Sequence, residues 1–162
     1  MVHNASDWLA ESAELDAATT LRRMMQVHVS APYQINLGLA SNLQQSRCGC
    51  ADIIHIGDYV SSRGSRKHIA YAASKAAQDN LTLSFAARLA PRVKVNSIAP
   101  SLMMFNEGDT SGYRERALAR SLMQREGGVK EFEAAVEYLL SSRYITGRIL
   151  PLDGGRHLKL AG

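Results

Sequence analysis

The sequence predicts one α/β domain, residues 1–162, in which a parallel sheet carries helices on both faces. Short β-branched runs alternate with longer segments of helical periodicity, and each run closes on Gly, Pro, Ser or Asp. Polar residues collect just after the runs, at the carboxyl ends where an open parallel sheet takes its ligands. With 162 residues, 46% of them hydrophobic and 21% charged, the chain can bury one core.

Asp16 to Gln45 reads as one long helix: Leu21, Met24, Met25, Val29, Ile35, Leu37, Leu39 and Leu43 recur at helical spacing, and Pro32 is expected to kink it. Asp52 to Gly57 is a buried strand, set between the Cys48–Cys50 turn and the Ser61–Gly64 loop. Ile69 to Leu89 is a helix whose alanines permit close packing, including packing against another subunit, and Ala90-Pro91 ends it. Arg92 to Ile98 is the next strand, stopped by Ala99-Pro100, with a loop running on to Gly112. Helices over Tyr113–Gln124 and Lys130–Leu140 lead to a last strand, Ile149–Leu152, closed by Asp153-Gly154-Gly155.

Nineteen Lys and Arg against fifteen Asp and Glu give a net charge of +4, which suits an anionic ligand but falls short of a nucleic-acid footprint. No apolar run approaches the roughly eighteen residues of a membrane span, and no basic-then-apolar leader opens the chain, so a cytoplasmic protein is expected. Cys48 and Cys50 are too few for a disulfide framework or a zinc site and read as reduced thiols. His3, His28, His55, His68 and His157 show no ligand spacing, so no metal is expected.

The chemistry-bearing pattern is Tyr71-Ala72-Ala73-Ser74-Lys75, which places a phenol and an ammonium one helical turn apart on one face. A cation beside a phenol stabilises the phenolate, so Lys75 is expected to lower the Tyr71 pKa from about 10 towards neutrality and make it a general acid. By itself Tyr-x3-Lys is a common helical accident. Its setting is specific: the strand ending Gly57-Asp58 precedes it, and Val95-Asn96-Ser97-Ile98-Ala99-Pro100 and Leu152-Asp153-Gly154-Gly155 follow in order.

In that setting the chain resembles the short-chain dehydrogenases/reductases, most closely their pteridine-reducing branch, over essentially all its residues. The resemblance implies the C-terminal part of a Rossmann-like three-layer α/β/α domain with NADPH as cofactor, a small-molecule pterin as substrate and a homotetramer as assembly. Most of the family has Ser thirteen residues before the catalytic Tyr; here that position is Asp58, as in pteridine reductases, and a carboxylate can bind the N–H and amino groups of a pterin. Catalytic roles fall on Asp58, Tyr71, Lys75 and His28.

His3-Asn4-Ala5-Ser6 resembles the family's Asn-Asn-Ala-Gly strand end, which implies that Asn4, Ala5 and Ser6 face the cofactor, with Tyr71, Lys75, Pro100 and Ser101. Trp8 falls where relatives stack an aromatic on the pterin; the residues alone leave a core or surface Trp open. His28 stands where the family has a proton-relay Asn, and reads equally as a satisfied interior histidine. Leu102, Met103 and Phe105 would line the substrate loop beside Ser6, Trp8, Asp58 and Tyr71, or Met103 would simply be core.

The family's opening strand, Gly-x3-Gly-x-Gly turn and helix, which hold the cofactor pyrophosphate, have no counterpart in these residues. Roughly the first third of a full-length reductase is therefore expected to be absent. Three readings follow: an NADPH-dependent pterin reductase, a carbonyl or acyl reductase of the same fold, and a catalytically silent chain that acts as an oligomer partner. Which pterin is reduced, and the choice of NADP over NAD, lie beyond the residues present.

Overall fold

The computed structural model of the protein describes residues 1–11, 16–47 and 49–159; Cys48 lies outside them. Four strands, β1 (Val2–His3), β2 (Ala51–Ile56), β3 (Val93–Pro100) and β4 (Ile149–Leu152), form one parallel sheet in the order β1-β2-β3-β4. The central strands pair in register from Ala51 opposite Val93 to Ile56 opposite Ile98. Because side chains alternate across a strand, Ile53, Val93 and Val95 face one way and Ile54 and Ile98 the other. The first set packs on Phe85, Ala86 and Leu89 of α3 (Ile69–Leu89), with Leu37 and Leu43 of α2 (Ala31–Gln44) at its margin. The second packs on Ala135 and Leu139 of α5 (Gly128–Ser141), completing three layers.

The long N-terminal helix runs as α1 (Ala17–Met25), five π-helical residues, Gln26–Ser30, and α2. Where the sequence predicts a kink at Pro32, the ladder instead widens by a residue just before it. Pro32 has no N–H for the His28 carbonyl, and the Ala31 N–H reaches five residues back to Gln26. Asp16 caps α1, its Oδ2 accepting from the Thr19 N–H at 2.9 Å and from the Thr19 hydroxyl at 3.0 Å. Asp16→Ala is expected to lower stability by about 1 kcal/mol, read as a shifted urea midpoint at unchanged slope.

Two further boundaries differ from expectation. β3 runs through Ala99 and Pro100 because β2 has already ended at Ile56, so beyond Ile98 only β4 is left to pair and the missing proline N–H costs no ladder bond. The helix expected over Tyr113–Gln124 is shorter, α4 (Ser111–Leu118). Thr110 caps its start, and a turn in which Ser121 Oγ accepts the Gln124 N–H at 3.2 Å, with Gln124 at φ 49°, replaces its end.

A line of buried polar side chains crosses the layer between the sheet and α2 and α3. His3 Nε2 meets Asn36 Oδ1 at 2.7 Å, Asn36 Nδ2 meets His55 Nε2 at 3.2 Å, and His55 Nδ1 meets Thr82 Oγ1 at 2.7 Å. Each group is satisfied by the next, so the core tolerates them. Among the described residues, no helix is long and apolar enough to cross a membrane.

Candidate active site

The carboxyl ends of β2 and β3 and the segment after β1 meet over the first turns of α3. A Cβ on Gly57 would lie 2.9 Å from Ser97 Oγ, so glycine lets the chain leave β2 tight against β3. That exit delivers Asp58, whose Oδ1 accepts the Val60 N–H at 2.8 Å while Oδ2 accepts the Tyr71 hydroxyl at 2.8 Å. Lys75, one turn beyond Tyr71, is only 2% exposed. Its ammonium donates to the Ile56 carbonyl at 2.8 Å and to Gln78 Oε1 at 3.5 Å. Burial lowers its pKa to about 8 against the opposing pull of Asp58 and Asp79.

The Tyr71 pKa moves away from neutrality, opposite to the direction expected from Lys75. Burial, then the Asp58 charge and its hydrogen bond, push the Tyr71 hydroxyl well above its ordinary value, and only the Ser6 hydroxyl acts in the other direction. The Lys75 ammonium sits 5.8 Å from the Tyr71 ring centroid and is committed to Ile56 and Gln78, whereas the carboxylate touches the phenol oxygen. Tyr71 is therefore a firmly protonated phenol.

His28, on the π-helical turn, is fully buried with its ring edge-on to Tyr71, centroids 5.4 Å apart. Its Nε2 accepts from the Ser6 hydroxyl at 2.9 Å and from the Asp7 N–H at 3.4 Å, which places the ring proton on Nδ1, donated to Ser74 Oγ at 2.8 Å. Ser74 passes its own proton to the Tyr71 carbonyl at 2.7 Å, so both ring nitrogens end on protein groups. Burial, with Lys75 adding to it against Asp7, lowers the His28 pKa to about 4, so the ring is neutral at physiological pH.

Two cavities of about 360 Å³ each open beside these groups. Asp58 and Tyr71 lie in the one lined also by Trp8, Ser65, His68 and Val60. Trp8 is 64% exposed there and stacks on His68, ring centroids 4.3 Å apart at 24°. The other runs under the loop after β3 and is lined by Leu102, Met103, Met123, Leu152, Arg125 and Lys130, among others. Ser101 and Arg156 line both.

Of the residues singled out in the sequence, Trp8, Asp58, Tyr71 and Ser101 share one cavity, with Lys75 beneath it and Ser6 and His28 behind Tyr71. Leu102 and Met103 line only the other cavity. Phe105 lines neither: its ring meets Tyr113 edge-on and carries the Arg114 guanidinium 5.1 Å from its centroid. Asn4 and Ala5 are exposed at the end of β1, and Pro100 ends β3. Arg156, His68, Ser65 and Ser74 were not foreseen; the signal for Arg156 was its place directly after the Asp153-Gly154-Gly155 turn.

A family model described as enoyl-(acyl carrier protein) reductase matches residues 1–157. The chain belongs to the short-chain dehydrogenase/reductase family. It is 57% identical over 159 residues to the dihydromonapterin reductase of Klebsiella pneumoniae, covering 98% of this chain and 66% of that protein. The dihydromonapterin reductase of Escherichia coli K12 is 56% identical over the same length. Among solved structures, the FolM alternative dihydrofolate reductase 1 of Brucella suis, in complex with NADP, superposes with a TM-score of 0.86 at 28% identity, over 99% of this chain and 64% of that one. An apo SCOR enzyme of Clostridium thermocellum, at 24% identity and a TM-score of 0.85, shares the fold. This short-chain dehydrogenase/reductase chain thus spans about two thirds of the length of the curated relatives it matches, and it corresponds to their C-terminal part.

Proposed function

We propose that the chain carries the substrate half of an NADPH-dependent reductase of dihydropterins. The observation that carries this reading is the Tyr71–Asp58 hydrogen bond of 2.8 Å in the wall of a cavity rimmed by Trp8. One space then offers a proton donor, a carboxylate for ring N–H groups and an aromatic face. The names of the dihydromonapterin reductases, and NADP in the Brucella protein, support it.

The residues present fit the nicotinamide end of the cofactor. Lys75 has three donors, of which Ile56 and Gln78 take two, leaving one for a ribose hydroxyl. Asn4, Ala5, Ser6, Pro100 and Ser101 would line the same end, as the family resemblance implies. NADPH, when bound, supplies the hydride to a carbon of the pterin C=N bond. Asp58 orients the pterin through its N–H and amino groups, and this releases the Tyr71 hydroxyl to give its proton to the neighbouring nitrogen, so C=N becomes CH–NH. Neutral His28 accepts the Ser6 hydroxyl and so holds Ser6 behind Tyr71 as a positioning residue. Positioning and fixed dipoles account for the rate. This reading carries a cytoplasmic homotetramer as its setting.

The test is fluorescence titration of the purified chain with NADPH, followed by loss of cofactor absorbance on adding dihydromonapterin or dihydrobiopterin. Saturable binding with pterin-dependent oxidation is expected. Association of the chain without NADPH binding would overturn the reading in favour of a silent oligomer partner. The family model's description favours a second reading, an acyl or carbonyl substrate, and faster turnover of a simple ketone than of a dihydropterin would establish it.

A further inference from the structure

Helix α3 carries Tyr71 and Lys75 in its first two turns, and its leading N–H groups are satisfied from a distant part of the chain. The first four N–H groups of a helix have no partner within it. His68 stands at the N-cap position, but its ring does not cap the helix. Its Nδ1 donates instead to the Leu9 carbonyl at 3.1 Å. Glu11 supplies the cap from 58 residues away: Oε2 accepts the Ile69 N–H at 2.9 Å and Oε1 the Ala70 N–H at 2.7 Å. The Glu11 N–H donates in return to the Lys67 carbonyl at 3.4 Å. The Ala70 bond, foremost, holds the Glu11 carboxyl below its ordinary value, so a full negative charge meets the positive end of a 21-residue helix.

The same bonds bear on where Trp8 stands. Its ring is 64% exposed, so burial does not hold it, and its ring contact is the stack on His68. The chain on either side of it is tied down. Before it, Asp7 Oδ2 pairs with Arg23 Nε at 2.5 Å, and the Asp7 N–H donates to His28 Nε2 at 3.4 Å. After it, the Leu9 side chain packs against Met24, Ala70 and Tyr71 while its carbonyl accepts from His68. Glu11 then closes the segment with two charge-assisted bonds, the stronger kind. His68 directly precedes the two N–H groups that Glu11 holds, so one carboxylate brings together both halves of the Trp8–His68 stack.

We propose that Glu11 is a positioning residue: it fixes Trp8 against His68 at the rim of the cavity that Asp58 and Tyr71 line, and so sets the affinity for a flat heteroaromatic ligand and not the rate of the chemical step. Tyr71 is held independently, by Asp58 at its hydroxyl and by His28 at its ring, so loosening the cap leaves the proton donor in place. The identity of the ligand rests on the pterin reading above; the hold on Trp8 rests on the bonds that Glu11 makes.

Trp8 is the chain's single tryptophan, so the decay of its fluorescence anisotropy reports this ring alone. In the unmodified chain the ring is expected to turn with the whole molecule. In Glu11→Ala a fast local component appears, on the timescale of free side-chain motion, and Glu11→Gln, which keeps one acceptor oxygen, shows less of it. Turnover of dihydrobiopterin with NADPH is the second readout. Glu11→Ala is expected to raise KM about fivefold, the scale of one aromatic stack, while kcat and NADPH affinity stay within about twofold. In a Trp8→Ala background the KM effect disappears, because the ring through which Glu11 acts is gone. An unchanged anisotropy decay in Glu11→Ala, or the same KM loss with and without Trp8, would overturn the proposal and leave the cap a structural one only. If the decay responds as expected while the unmodified chain oxidises no NADPH with dihydrobiopterin, the hold on Trp8 stands and the pterin reading falls.

Discussion

Tyr71→Phe is expected to lower dihydropterin turnover by about 10²- to 10⁴-fold, the range that a positioned general acid contributes, with NADPH affinity nearly unchanged. Only the phenol oxygen is removed. The ring keeps its edge contact with His28 and its place beside Met24 and Ala70, so the cavity wall survives. What disappears is the hydroxyl that donates to Asp58 Oδ2. Single-turnover kinetics with pre-bound NADPH check this, because they isolate proton and hydride transfer from cofactor release. Turnover within a few-fold of the unmodified chain would show that the proton comes from elsewhere.

The reversed Tyr71 pKa sharpens this expectation. A phenol drawn towards neutrality would be partly ionised at rest and would need reprotonation before each turnover. Here burial and Asp58 keep the proton on the phenol. Burial is the larger cause of the raised Tyr71 pKa, and a ligand that engaged Asp58 would remove only the carboxylate's share, its charge and its hydrogen bond.

Local pattern made most of the scaffold legible. Ile53-Ile54 announces a strand buried on both faces, and the structure places one residue against α3 and the next against α5. The Tyr71–Lys75 spacing marked one face of α3, and the family resemblance, through its thirteen-residue step, pointed to Asp58, whose Oδ2 lies 2.8 Å from the Tyr71 hydroxyl. What stayed hidden depends on distances between elements. Spacing shows that Lys75 is near Tyr71, but not that its ammonium is bound to Ile56 while Asp58 sits 2.8 Å from the phenol. Leu102, Met103 and Phe105 read as one substrate loop, yet the chain leaving β3 directs the first two beneath the loop and Phe105 to Tyr113. Arg156 was passed over because two left-handed glycines fix its direction, and the glycine pair before it was read only as a stop.

Acid is expected to destabilise the fold before ordinary carboxylates protonate, although Asp79, whose pKa burial raises, takes up its proton earlier than they do. His28 and His55 are fully buried, and burial lowers their pKa values to about 4 and about 3, against an ordinary 6.5. The unfolded chain therefore binds protons below about pH 6.5 that the native chain refuses, so stability is complete above that pH and falls as the medium becomes more acidic. At pH 5 each ring costs about 2 kcal/mol, or about 4 kcal/mol together, a large share of a small domain's stability. His3, lowered in the same direction, adds to the loss. Asp153 and Glu11, whose pKa values are depressed, lose their contribution only as pH falls below the usual carboxylate range, which leaves the window between pH 5 and 6.5 to the histidines. Urea denaturation at pH 7.5 and 5.0 measures the difference, and ring proton chemical shifts report the protonation directly. Equal stability at both pH values, or rings that titrate near 6.5 in the native state, would show that the two histidines are not enclosed as described. The site and the core share this sensitivity, because the ring that orients Ser6 behind Tyr71 must stay neutral to accept its hydroxyl.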